Sequence, residues 1–423
     1  MSKNNKFIRL ILFAFVFTVG LVFEGYFMRF SACSFLKNYD GVIRVPSNYS
    51  NITEAIEHAI DGDTIIIDAG LYNEFGIVVD KRVRIVGVNR SGVVIDGGGV
   101  NGPIIIIRSS GVILENLTLR NTYLMGEGAS AVTIYNVGGV MVKNVLLSNV
   151  AVGVHVRDSN YSSIMYCNFS GISICGIKIS GISCNNTLVG NNFWDLPNKA
   201  IIIASSSSLF TRLYHNNFFN SSVPSPPATT FFDNGYPSGG NFWSDHISVD
   251  FKHGPRQDED GGDGIVDSGY PVDSPRDYYP LMFPIVKIDV LTQWGVFEVF
   301  ASLNATIVAY NFNASDKILA LCVESVQGGF VSFRLSIPKV LLSCYSSDEW
   351  HVLRDGEDLP YLVFQDDRFT YFYIVYTQTV SQNTIAFKGT TAVPEFSMPL
   401  LFAIILIFSA VFILKIVHKY CVC

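Results

Sequence analysis

The residues of this 423-residue chain best suited to hold a cation lie between Asp245 and Asp277, where Asp250, Glu259 and Asp273 join several other carboxylates in a glycine-rich stretch. Within it "DEDGGDGIVD" offers alternating carboxylates, a sharp glycine turn and an apolar residue behind, which suits a hard cation such as Ca²⁺. Asp258, Asp260, Asp263 and Asp267 are the expected metal ligands. The stretch departs from an EF-hand loop, because Gly262 stands where a third carboxylate belongs and no Glu closes the site. A solvated acidic loop is the alternative. Copper needs clustered imidazole or soft sulfur ligands. His58, His155, His215, His246 and His253 are scattered, and only His246 and His253 could meet, so the ligand types give copper little support.

A second set of reactive residues alternates with apolar ones. "GVHVRD" puts Val154 and Val156 on one face and His155 and Arg157 on the other, and "GIKIS" does the same with Lys178. Period-two alternation marks strands. The expected outward row is Thr133, Tyr135, His155, Arg157, Lys178, Ser180 and Ile202, with His155, Arg157 and Lys178 as the ligand-binding candidates. No carboxylate pair stands in that row, so glycoside hydrolysis lacks its acid and base. A lyase could still use Arg157 or Lys178 as base. The net charge of −7 argues against a nucleic-acid partner.

The elements that must position these residues recur. Asn116, Asn144, Asn168, Asn192, Asn217 and Asn241 follow at steps of 28, 24, 24, 25 and 24. An apolar residue follows each and becomes aromatic at Phe169, Phe193, Phe218 and Phe242. Short strands repeating at this interval mean coils that stack and bury their inward faces against one another. Equivalent positions then lie about 4.8 Å apart. The six Asn are expected to form one structural ladder at a left-handed corner. The segment Thr53–Ile60 reads as an amphipathic helix, capped by Asn51 or Thr53, that covers the open first coil.

Beyond Asp277 the pattern lengthens. From 286 to 389 several alternating strands separated by turn signals predict an antiparallel sandwich. Cys322 and Cys344 in this segment could pair, if exported. Lys3, Lys6 and Arg9 before an apolar run give residues 1–34 the layout of an export signal or signal anchor. After a linker at 390–397, the uncharged apolar run at 398–414 is just long enough to span a bilayer, so a transmembrane helix is expected at 398–417, and Lys415 and Lys419 would hold the tail in the cytoplasm. Sequons such as Asn185, Asn220, Asn304 and Asn313 fit an exported surface.

"NITEAIEHAIDGDTIIIDAGLY" resembles the entry to right-handed parallel β-helix proteins of the pectate-lyase-like superfamily. The repeats through "GGNFWSDH" and "DGGDGIVDSGYPVDSPRDYYPLM" are similar to archaeal NosD-like proteins, a family often described as periplasmic copper-binding. "VPEFS" is similar to a PEF-type exported tail. The resemblance implies an all-β chain: a right-handed parallel β-helix at 42–283, a β-sandwich at 286–389 and a C-terminal transmembrane helix. The expected role is a membrane-anchored extracytoplasmic protein that binds or scaffolds surface polysaccharide. A polysaccharide lyase or glycoside hydrolase, and a copper-handling accessory protein, are the alternatives.

Overall fold

The computed structural model describes residues 41–393, apart from 126–127, 198, 205–206 and 273–274. The export segment 1–34 and the apolar run 398–417 lie outside the described residues. Among the described residues no helix is long and apolar enough to cross a membrane.

The strands pair in parallel, coil on coil. One sheet runs from Val42–Val45 through Thr64–Ile67, Arg84–Gly87, Ile113–Glu115, Met141–Lys143, Ser163–Met165 and Thr187–Val189 to Arg212–Tyr214. A second sheet of twelve strands closes the coil. Alternation carries one residue in two inward, so Leu114, Val142, Ile164, Leu188 and Leu213 share a column and are wholly buried. The helix Ile52–His58 covers the first coil with Ile52, Ala55 and Ile56. Asn51 caps it, its side chain accepting from the Glu54 N–H at 2.8 Å. Glu74 accepts from the N–H groups of Ile52 and Thr53, so the other free donors of the first turn are also met.

The aromatic column is as the rhythm predicts and longer. Phe169, Phe193 and Phe218 stack at 4.8 and 5.1 Å between centroids, with ring planes 11° and 7° apart. Trp243, not Phe242, takes the next place at 4.1 Å, and Tyr270 closes the stack at 4.2 Å. The rings lie against glycine: a Cβ on Gly153 would come within 2.7 Å of Phe169, and one on Gly176 within 3.0 Å of Phe193.

The single six-membered Asn ladder is corrected to three columns. Asn116 and Asn144 do occupy a left-handed corner (φ 61° and 51°), but Tyr166, Gly190 and His215 continue that corner. Lys143 pairs with Met165, so this coil has 22 residues, and alignment at 24 slips by two. Asn168, Asn192 and Asn217 therefore fall in strands, where Asn217 Nδ2 donates to Asn192 at 2.7 Å and Asn192 Nδ2 to Asn168 at 2.8 Å. Asn241 falls one place earlier, in a buried column with Asn191 and Asn216. A second left-handed corner, not foreseen, consists of Asn121, Asn149, Gly171, Asp195 and Asn220.

Residues Ile285–Ala392 form two five-stranded antiparallel sheets, with Val299, Phe333, Phe372, Leu321 and Phe387 in the core between them. Cys322 and Cys344 are free thiols, which corrects the pairing expected of them. The Cys322 thiol instead faces Gln382 at 3.7 Å.

Candidate functional site

The expected ligand-binding residues are brought together. Thr133 pairs with His155 and His155 with Lys178, while Tyr135 pairs with Arg157 and Arg157 with Ser180. These side chains stand on one outward face, because Val132, Ile134, Val154, Val156, Ile177 and Ile179 between them are buried. Thr133, Tyr135, His155, Arg157 and Lys178 line a groove of about 420 Å³ to which Pro103, Ile106, Arg108 and Gly128 also contribute. Arg157 lies 5.2 Å over the Tyr135 ring and 3.5 Å from Asp158. His155 Nε2 is 2.8 Å from Ser180 Oγ. None of the described lining residues is a carboxylate. The groove thus offers Arg108, Arg157, Lys178 and an imidazole beside one aromatic ring. Arg108 was not in the expected row: the isoleucines of "IIIIR" are apolar throughout and show no alternation, and only the register of that run with Val132–Ile134 puts Arg108 on this face.

The acidic stretch does not gather around a point. Asp258 pairs with Arg256 at 3.0 Å, and Asp260 pairs with Lys252. The hydrogen bond and charge of Lys252 hold the Asp260 carboxyl below its usual range. Asp267 accepts from the N–H groups of Phe251 and Lys252 at 3.0 Å each. Asp263 is fully buried and accepts from the Ile265 N–H at 2.9 Å. Burial raises its carboxyl pKa, against the opposing charge of Arg334. Among the described residues no three His, Cys, Asp or Glu side chains are placed to share a metal ion. The Ca²⁺ site expected of Asp258, Asp260, Asp263 and Asp267 therefore does not fit this geometry. Local donors and Arg256, Lys252 and Arg334 compensate the carboxylates one by one. His246 and His253 also part: His246 meets the Ser268 carbonyl and His253 the Gly261 carbonyl.

Two members of the stretch have structural tasks that residue type alone did not reveal. Asp250 accepts from the N–H groups of Asp263 and Gly264 at 2.9 and 2.8 Å, and burial pushes its carboxyl up to about 6. Asp277 ends the buried Asn column. Its Oδ2 accepts from Asn241 N at 2.8 Å, Asn241 Nδ2 at 3.2 Å and Trp243 Nε1 at 2.9 Å. Burial pushes this carboxyl up to about 7, against those donors.

A larger cavity, of about 1000 Å³, lies between the coil and the sandwich. Glu298 is the centre of a cluster in it, meeting Lys143 at 3.0 Å, Lys287 at 3.8 Å and the Tyr166 hydroxyl at 3.0 Å. Burial raises the Tyr166 pKa, and the charge of Glu298 adds to the rise. Arg334 of the sandwich ties the two parts further, donating to the carbonyls of Asp263 and Pro237.

Residues 71–235 match the family described as "Right handed beta helix region". The chain is a right-handed parallel β-helix followed by antiparallel sheets. Solved structures similar to it include a pectin methylesterase in complex with a hexasaccharide, 17% identical over 44% of this chain and 79% of that one, at a TM-score of 0.31. Pectin methylesterase PemA from Erwinia chrysanthemi is 15% identical over 46% of this chain and 82% of that one, at 0.31. A PL6 family polysaccharide lyase from Pseudopedobacter saltans is 13% identical over 57% and 73%, at 0.21. None of these likenesses is close enough to bear on what this chain binds. No curated protein matches it.

Proposed function

We propose that this chain is a membrane-anchored extracytoplasmic β-helix protein that binds an acidic polysaccharide along the groove of Arg108, Tyr135, His155, Arg157 and Lys178. The supporting observation is the composition of that groove: cationic side chains from successive coils, an aromatic ring, and no carboxylate among its described lining residues. Coils about 4.8 Å apart present these groups in a line, which suits an extended polymer better than a compact ligand. The same lack of carboxylates speaks for binding rather than hydrolysis, which needs two of them. Export and anchoring rest on the sequence at 1–34 and 398–417. The NosD-like resemblance adds no copper step, because the histidines do not cluster.

The test is titration of the full-length chain with hexagalacturonate. Wild type should bind, more weakly as salt rises, and Lys178→Ala and Arg157→Ala should each lower affinity about tenfold, the scale of one charge-assisted contact. Equal affinity in both variants would remove the groove as the site. Release of unsaturated, ultraviolet-absorbing products would turn the reading to a lyase.

A further inference from the structure

A second outward face carries different chemistry. Asp96 pairs in register with Arg120, Arg120 with Ser148, Ser148 with Ser170, and Trp194 with Phe219. Because Phe169 pairs with Phe193, Ser170 and Trp194 are the next partners, and the six residues form one row across six coils. The left-handed corner at Asn121, Asn149, Gly171 and Asp195 separates this row from the basic groove. Trp194 is 43% exposed. Its indole stacks on Phe219 at 3.8 Å with planes 10° apart, so the rings lie across the row and one indole face is braced. The opposite face looks along the row toward Ser170 and Ser148, which have short side chains and are partly exposed. Arg120 and Asp96, paired at 2.8 Å, close the far end.

We infer that this slot is a second binding site and that its ligand is a neutral pyranose unit of a glycan chain. The aromatic wall matches the C–H face of a sugar ring. The floor offers hydroxyls, and the far wall offers a guanidinium and a carboxylate. Ring hydroxyls can accept from the guanidinium, donate to the carboxylate and do either with the serine hydroxyls. The gap from Trp194 to Arg120 is three coil steps, about 14 Å at 4.8 Å per step, enough for a sugar ring and its linkage. The ion pair already neutralises Arg120, so the slot has no surplus charge to attract a uronate. A purely apolar partner would cover the two serine hydroxyls without hydrogen bonding to them.

Three neutral probes test this on the full-length chain: cellohexaose, xylohexaose and mannohexaose, followed by calorimetric titration and tryptophan fluorescence. At least one should bind wild type. Trp194→Ala should weaken that binding tenfold or more, and Ser170→Phe, which extends the aromatic stack into the slot, should do the same. Trp194→Phe should retain part of the affinity. Hexagalacturonate binding should be unchanged in all three variants, so failure of the groove proposal and failure of this one are separable. If Trp194→Ala does not fold, Ser170→Phe carries the test. Binding of none of the three probes, or wild-type affinity in a folded Ser170→Phe chain, overturns the inference.

Discussion

Phe193 touches a ring on either side, Phe169 and Phe218, and is wholly buried. Its neighbours belong to different coils and cannot both close on the gap it would leave. Phe193→Ala should therefore cost about 3–5 kcal/mol, read as a shift in the denaturation midpoint. Asp277 makes a pH-dependent contribution. Its folded pKa is raised from 3.8 to about 7, so between those values the folded chain holds a proton that the unfolded chain has released. Stability from this group is complete below about pH 4 and is lost as pH rises toward 7. His215 acts in the opposite sense. Burial lowers its pKa to about 4, so its contribution is present above its usual 6.5 and is lost as pH falls toward 4. Asp277→Asn should lower stability throughout and flatten the difference between pH 4 and 7. Wild type and variant melted across that range would decide it, and parallel profiles would mean that Asp277 does not titrate there.

At the scale of elements, the acidic loop and the groove respond differently to ions. Asp258, Asp260, Asp263 and Asp267 each have their own donor or cation, so adding Ca²⁺ gains little that is not already present. Millimolar Ca²⁺ should leave the melting temperature of the full-length chain within about 1–2 °C of its value in chelator, because a ligand stabilises only as far as it prefers the folded state. A larger rise would show that the loop rearranges to gather Asp258, Asp260, Asp263 and Asp267. The groove presents the exposed Arg108 and Arg157, and the salt dependence expected for hexagalacturonate is its signature.

For the whole molecule, the Arg334 contacts and the Glu298 cluster make the sandwich a cover over one side of the coil rather than a tethered neighbour. On the proposed topology both face outward, with Lys415 and Lys419 inside. Protease added to intact cells should remove the β-helix and sandwich together and spare a tag placed after Cys423. Protection of both, with loss of the tag, would invert the orientation.

The amino-acid sequence by itself determined the coil, the inward column of Phe169, Phe193 and Phe218, the outward row of His155, Arg157 and Lys178, the covering helix with a cap at Asn51 or Thr53, and the strands of the sandwich. All of these follow from side-chain alternation or from neighbours a few residues apart, which a linear reading captures. It did not determine register. Asn serves this chain at left-handed corners, in open strands and in the buried column that ends at Asp277, and its letter is the same in all three. A coil of 22 residues between one of 28 and one of 24 then shifts every later Asn without changing the pattern. Nor could it assign the acidic stretch. Whether a carboxylate binds a metal, pairs with a surface cation or is buried depends on what folds over it. Arg334, 71 residues from Asp263, reaches that site only once the sandwich has packed against the coil.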